Sequence, residues 1–336
     1  MGSSFMRFGV RSGIAFGGTV AAALTLSLAG CASHDGGAQN DAADEGLIDG
    51  FHPPAALEGE LRLVAPLVAE IPAGGDMSWC TYIANPFDRE VDVVQSRGFQ
   101  SRFGHHAILM EVAGAEGRLG ESHACTDSDM TNARFLAGGS DAAAQFKIPE
   151  GIAFRIRKES VLMVQTHWIN SSRTAAPGQT VFNIGIKPPD GSRQSAQLFA
   201  AYTANVSIPP RGPGRAHTEC TIKEDMSLFA FGGHAHEWGT HVRVSVARSG
   251  GTEMLYDHAW EAHYQADPPL NYYDTKAPLK LRAGDVLQVE CEYQNTTDAA
   301  LKFPREMCVA MGFYFPGTAD IQCGDGNWSN GNGGMP

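Results

Sequence analysis

The chain is written in short runs of β-branched and aromatic residues, each cut off by Gly, Pro, Asn or Asp before a helix could be completed. Examples are VDVVQS (91–96), HAILMEV (106–112), VLMVQTHW (161–168), VFNIGI (181–186), THVRVSVA (240–247), DVLQVECEY (285–293) and CVAMGFYF (308–315). Several alternate apolar and polar residues with a period of two, as strands do when one face meets a core and the other meets water. No segment carries a long apolar stripe at helical spacing. Such a chain buries its apolar faces by stacking sheet on sheet, so the expected fold is all-β, with sandwiches of jelly-roll type.

The ends read differently. Arg7 and Arg11 precede an apolar, small-residue stretch over 14–30 that closes on Leu28-Ala29-Gly30-Cys31. This resembles a bacterial lipoprotein signal over residues 1–30, after which Cys31 becomes the lipid-modified first residue. The expectation is an exported protein whose acyl chains on Cys31 hold it to a bacterial membrane, on the periplasmic side or at the cell surface. Residues 31–57 are rich in Gly, Ala and Asp without an apolar period, and read as a flexible acidic tether. Residues 326–336 read as a disordered tail. What lies between is enough for two β-sandwich domains in tandem, 58–190 and 191–325, with the break at KPPDGSRQ (187–194).

The formal net charge of −12, with no basic patch, disfavours nucleic acid as a partner. Beyond Cys31 there are six cysteines: Cys80, Cys125, Cys220, Cys291, Cys308 and Cys323. An even number in an exported chain points to three disulfides, whose pairing the spacing leaves open.

Three histidine features stand out: His105-His106 in RFGHHAILM, His167 in VQTHW, and His234-Ala235-His236 in GGHAHEWG. Alternate residues on a strand share a face, so His234 and His236 can meet one ion. Adjacent residues do not, so His105 and His106 need a bend, which Gly104 can supply. Gln165 lies two residues before His167, on the same face of a strand. Each feature alone is a weak metal signal.

Glu306-Met307-Cys308, just before the last long strand, changes the weight of the set. His-His, a later His, His-x-His and Glu-Met-Cys, in that order, resemble the copper type II, ascorbate-dependent monooxygenases. That family includes peptidylglycine α-hydroxylating monooxygenase and dopamine β-monooxygenase. The resemblance runs from about Trp79 to Cys323 and takes in WCTY (79–82) and the RAGDVLQVEC stretch that ends at Cys291. It implies two coppers per chain. His105, His106 and His167 would bind an electron-storing copper in the first domain, with Gln165 beside it. His234, His236 and Met307 would bind the catalytic, oxygen-activating copper in the second. Imidazole suits both copper oxidation states, and a soft thioether favours Cu(I). The family pattern also implies the pairs Cys80–Cys125, Cys220–Cys323 and Cys291–Cys308.

The resemblance further implies a monomeric oxidoreductase that uses O2 and an external reductant such as ascorbate to hydroxylate a C–H bond of a small molecule. Departures narrow the substrate. Peptide-hydroxylating members have an Arg two residues before the His-x-His, and an Asn and a Tyr two and four after the ligand Met; these hold a carboxylate. Here those positions are Gly232, Val309 and Met311. A carboxylate buried without partners binds poorly, so the expected substrate is largely apolar. Met307, Val309, Met311 and Phe313 fall on one strand face as an apolar wall. A rival reading is a lipoprotein that binds or buffers copper without catalysis; another is a single-metal enzyme of cupin type.

Overall fold

The computed structural model describes residues 46–129, 133–139, 146–265, 267–303 and 305–330. Their regular structure is strand, apart from three short 3-10 turns. The signal, Cys31 and the first part of the expected tether lie outside the described residues.

The first half is a sandwich of two five-stranded sheets. One runs, in spatial order, Glu60–Val64, Thr180–Lys187, Val91–Gln100, Ile152–Ile156 and Gln194–Ser195. The other runs Ser122–Ala124, Asp76–Ala84, Val161–Ile169, Gly104–Val112 and Ala133–Gly139. Val91, Val93, Phe182 and Ile184 of the first sheet pack with Leu109, Leu162 and Val164 of the second. The alternation seen in the sequence is what gives each sheet an apolar inner face.

The second half stacks a seven-stranded sheet on a four-stranded one. At the middle of the larger sheet, Met226–His234, Cys308–Phe315 and Gln197–Thr203 lie side by side, all antiparallel. The smaller sheet orders Pro213–Thr221, Val286–Gln294, Gly239–Arg248 and Gly251–Ala259. Leu228, Phe231 and Ala310 meet Val242, Val244, Val246 and Val289 in the core. Cys220–Cys323 and Cys291–Cys308 each join one sheet to the other, while Cys80–Cys125 ties Asp76–Ala84 to the chain just past its edge neighbour. These are the three pairs that the family pattern implied.

One strand face binds the halves together. On the outer side of Cys308–Phe315, Phe313 packs with Phe229 of the same sheet and with Phe135, Phe146 and Phe154 of the first sandwich. Phe229, Phe313 and Phe315 thereby belong to the core of the first sandwich. The expected apolar stripe is therefore divided. Phe313 is consumed by the junction, whereas Met307, Val309 and Met311 form a separate group with Ala200 and Tyr202.

Three boundaries differ from the sequence reading. The tether was expected to reach residue 57, yet Leu47 and Ile48 pack on a cluster of Phe51, Phe99 and Val181. Gln179 fixes that segment, accepting from Ile48 N at 2.9 Å and donating to Gly46 O at 3.1 Å. Three apolar residues are too few to show a period, but enough to dock. The tail was expected to be disordered from 326, yet Asn327–Asn330 pairs with Ile321–Gly324. Asp325 and Gly326, both at positive φ, make the hairpin turn, and Trp328 lies against Phe199. The interdomain segment is also held: Gln194–Ser195 adds to Ile152–Ile156 in parallel, and Arg193 pairs with Asp92.

Replacing Phe313 with Ala should lower the unfolding free energy by about 3–5 kcal/mol, because its ring is buried among four others. Urea titration checks this; a loss below about 1 kcal/mol would mean the junction does not hold the halves.

Candidate metal sites

The first cluster depends on a β-bulge. Gly104–Val112 pairs with Val161–Ile169, but Gly104 stands opposite Trp168 and His106 opposite His167. His105 is the extra residue, so two adjacent histidines reach the same side of the strand. The approach to the bulge is tight. Phe103 has a φ of 73°, and a Cβ on Gly104 would lie 2.1 Å from Gln100 Cβ. No larger residue fits there.

His105, His106 and His167 bring three ring nitrogens within 4.8 Å of one another. His105 Nδ1 and His167 Nδ1 are 3.2 Å apart. His167 Nε2 donates to Asp76 Oδ1 at 2.6 Å, which leaves the Nδ1 of the neutral ring with a lone pair aimed at His105. His106 Nδ1 is buried and has no hydrogen-bond partner among the described residues. Burial, then a charge on His167, pushes His105 down to about 4. His106 is held well below its usual range by burial and then by charges on His167, His105, His234 and His236. The hydrogen bond from His167 is the largest cause that brings Asp76 down to about 2.

The second cluster is set by Glu306. His234 ends Met226–His234 opposite Val309, and the rings of His234 and His236 are 5.1 Å apart. Between them Ala235 turns back into the core. The buried Glu306 carboxylate accepts from His236 N at 3.0 Å and from Trp238 N at 2.7 Å. These bonds fasten the His-x-His loop to the residue before Met307. Burial raises Glu306 to about 7 in spite of its N–H donors. His236 Nδ1 donates to Arg305 O at 3.1 Å, so Nε2 is the nitrogen left to bind. Met307 is held on its other side as well: Tyr293 OH donates to Met307 O at 2.7 Å, and Cys308 is in a disulfide. Burial pushes His234 down to about 3 and lowers His236.

The residues fit a soft or borderline transition metal. Burial keeps His105, His106 and His234 neutral at ordinary pH, the first cluster leaves a buried nitrogen that a cation would satisfy, and Glu306 fastens the second to the residue before Met307, whose thioether is a soft donor. Gln165 is half-buried on the strand of His167, opposite Ile108 and Cys80. Gly232 stands opposite Met311, and Val309 stands between His234 and Tyr202. Three contributors were not legible in the sequence. Glu306 was visible only as part of a motif, and Asp76 and Arg305 carried no signal.

Residues 195–330 match the family described as copper type II ascorbate-dependent monooxygenase, C-terminal domain. The similarity to the copper type II, ascorbate-dependent monooxygenases is thus carried by the second half of the chain. The match contains His234, His236 and Met307; the triad in the first half lies before it. No curated protein matches. Among solved structures the chain is weakly similar to PBCV-1 VP54, from a crystal structure fitted into a reconstruction of the virophage Sputnik. Identity there is 9%, with 76% of this chain and 93% of that one covered and a TM-score of 0.29. A triple jelly-roll protein of an archaeal virus gives 7% identity, 78% and 60% coverage and a TM-score of 0.20.

Two outcomes follow from this geometry. Glu306→Ala strands buried N–H groups at about 1–3 kcal/mol each, so it should lower stability and loosen the metal at His234 and His236 more than at the triad. Copper titration of the variant checks this; equal loosening of both sites would contradict it. The second outcome concerns pH. The folded state keeps His234 neutral well below 6.5, where the unfolded chain would take up a proton, and burial lowers His236 in the same direction. Metal therefore displaces no proton from His234 between pH 5 and 8, and the change in affinity expected at that site is the one that accompanies Glu306 as it titrates near 7. Isothermal titration in several buffers reads the proton release; a tenfold fall in affinity per unit below pH 6.5 would contradict the depressed values.

Proposed function

We propose that this chain is a copper-dependent monooxygenase that hydroxylates a C–H bond of a small, largely apolar molecule, using O2 and an external reductant such as ascorbate. The observation that carries this reading is the pairing of two histidine clusters in one chain, the second fastened through Glu306 to the segment that carries Met307 and lying within the family match. In this reading His105, His106 and His167 hold one copper, and His234, His236 and Met307 hold the other. Bound copper would supply one-electron redox chemistry and the activation of dioxygen. The protein's part is orientation. Asp76 sets the tautomer of His167, Arg305 O sets that of His236, and Glu306 holds the loop that carries His236.

The substrate class follows from the wall beside Met307. A Cβ on Gly232 would lie 2.9 Å from Leu270 Cδ2 and 3.2 Å from Pro269 O, so the space for a cationic side chain is already filled. Met311, Val309, Ala200 and Tyr202 continue the wall without an offered positive charge. A carboxylate would be desolvated there with nothing to pair it, whereas a hydrocarbon or aromatic group would gain by burial. We also propose that the protein acts as a monomer, exported and anchored through Cys31.

A non-catalytic copper buffer is the competing reading, since the carboxylate clamp is missing. Ascorbate-driven oxygen consumption by the copper-loaded protein separates the two. The proposed function expects consumption that rises with a small apolar substrate and yields its hydroxylated product, with peptidyl-glycine turned over poorly. Oxygen uptake that stops once the copper is reduced, with every substrate tried, would support the buffer. Efficient turnover of peptidyl-glycine would overturn the substrate class.

A further inference from the structure

Between the two clusters runs a chain of bonds that neither ligand set requires. Asp76 begins the strand Asp76–Ala84 in the first sandwich, opposite Ile169. One of its oxygens, Oδ1, takes the Nε2–H of His167 at 2.6 Å. The other, Oδ2, takes Arg305 Nη1 at 3.2 Å, across 229 residues of sequence and from the other half of the molecule. Arg305 then turns to the second cluster in three ways. Its carbonyl oxygen accepts from His236 Nδ1 at 3.1 Å. Its guanidinium lies over the Trp238 ring at 4.6 Å from the centroid. It also pairs with Glu237 at 3.6 Å. A continuous path, His167–Asp76–Arg305–His236, thus joins a ring of one cluster to a ring of the other.

We propose that Asp76 and Arg305 are positioning residues that hold the two metal-ligand clusters in register with each other. This rests on the reading of both clusters as metal sites, and it assigns a task to two residues that bind neither metal. The aromatic junction around Phe313 fixes the halves at one end of Cys308–Phe315, while the metal ligands stand at the other end. A second tie at the ligand end is what stops the halves from hinging about the first. Arg suits that place because its flat guanidinium stacks on Trp238 while its N–H groups point at two carboxylates. Lys could keep one ion pair but not the stack. Because Arg305 and Asp76 are both well exposed, 55% and 41%, the tie should weaken as salt rises.

The test uses the full chain with nitroxide labels on V64C and M254C, both at exposed positions and one in each sandwich. Pulsed dipolar spectroscopy of the metal-free protein should give one narrow distance distribution. R305A and D76A should each broaden it, molar salt should broaden it in the parent protein, and R305K should restore it in part. In parallel, Cu(II) affinity at the triad should fall about 10–100-fold in D76A, and less in R305A, as expected when the partner of a ligating imidazole is lost. Unchanged distributions in both variants would overturn the proposal, even where copper affinity falls, since that would leave Asp76 a local partner of His167 only. The distance arm needs no metal. Should the parent protein bind fewer than two coppers, the two-copper reading fails by itself and the register of the halves is still measured.

Discussion

The second cluster hangs on a buried carboxylate. Glu306 sits in an apolar setting that pushes it up to about 7, and it is kept there by the backbone N–H groups of His236 and Trp238. A buried carboxylate is costly unless such donors meet it, and a loop that leaves its N–H groups unmet is costly too. Each need answers the other. The consequence is geometric: the loop bearing His236 cannot move without Met307, since Glu306 and Met307 are consecutive. Tyr293 and the Cys291–Cys308 bridge then fix Met307 to the opposite sheet. A ligand set drawn from residues about seventy apart in sequence is in this way held to one place.

The first cluster reaches the same end by a different device. Here one inserted residue in a strand does what a loop does in the second half. The bulge at His105 reverses the usual alternation and lets neighbours in sequence become neighbours around a point. Burial depresses His105 and His106 in the first cluster and His234 and His236 in the second, which readies those rings for a cation and makes them unstable neighbours for one another when protonated. Charge on His234 or His236 would depress His106 further, a repulsion that reaches from one half to the other.

Much of this was legible in the residues, for identifiable reasons. A period of two announces strands, so His234 and His236 could be placed on one face, and the ordered motifs with Cys80, Cys125, Cys220, Cys291, Cys308 and Cys323 carried the family and its disulfides. Gly104 was expected to supply a bend and does so through close packing on Gln100. What stayed hidden depends on contacts between distant segments. Asp76 and Arg305 are 229 residues apart, and nothing local marks either. Glu306 looked like one letter of a motif, because its task is set by N–H groups on another loop. The docked segment at Leu47, Ile48 and Phe51 and the final hairpin at Asp325-Gly326 were lost by averaging composition over stretches rich in Gly, Ala and Asn. Phe313 was read as part of the substrate wall, since alternation gives the face of a residue but not what covers it.

The central claim is that two histidine clusters, the second completed by Met307, make two separate copper sites. Copper bound per chain, measured on the full protein and on its Met307→Ala variant, tests it most directly. The account predicts two coppers in the parent protein, with the variant losing or loosening one while the triad keeps its own. One copper in the parent protein, or no effect of removing the thioether, would contradict it.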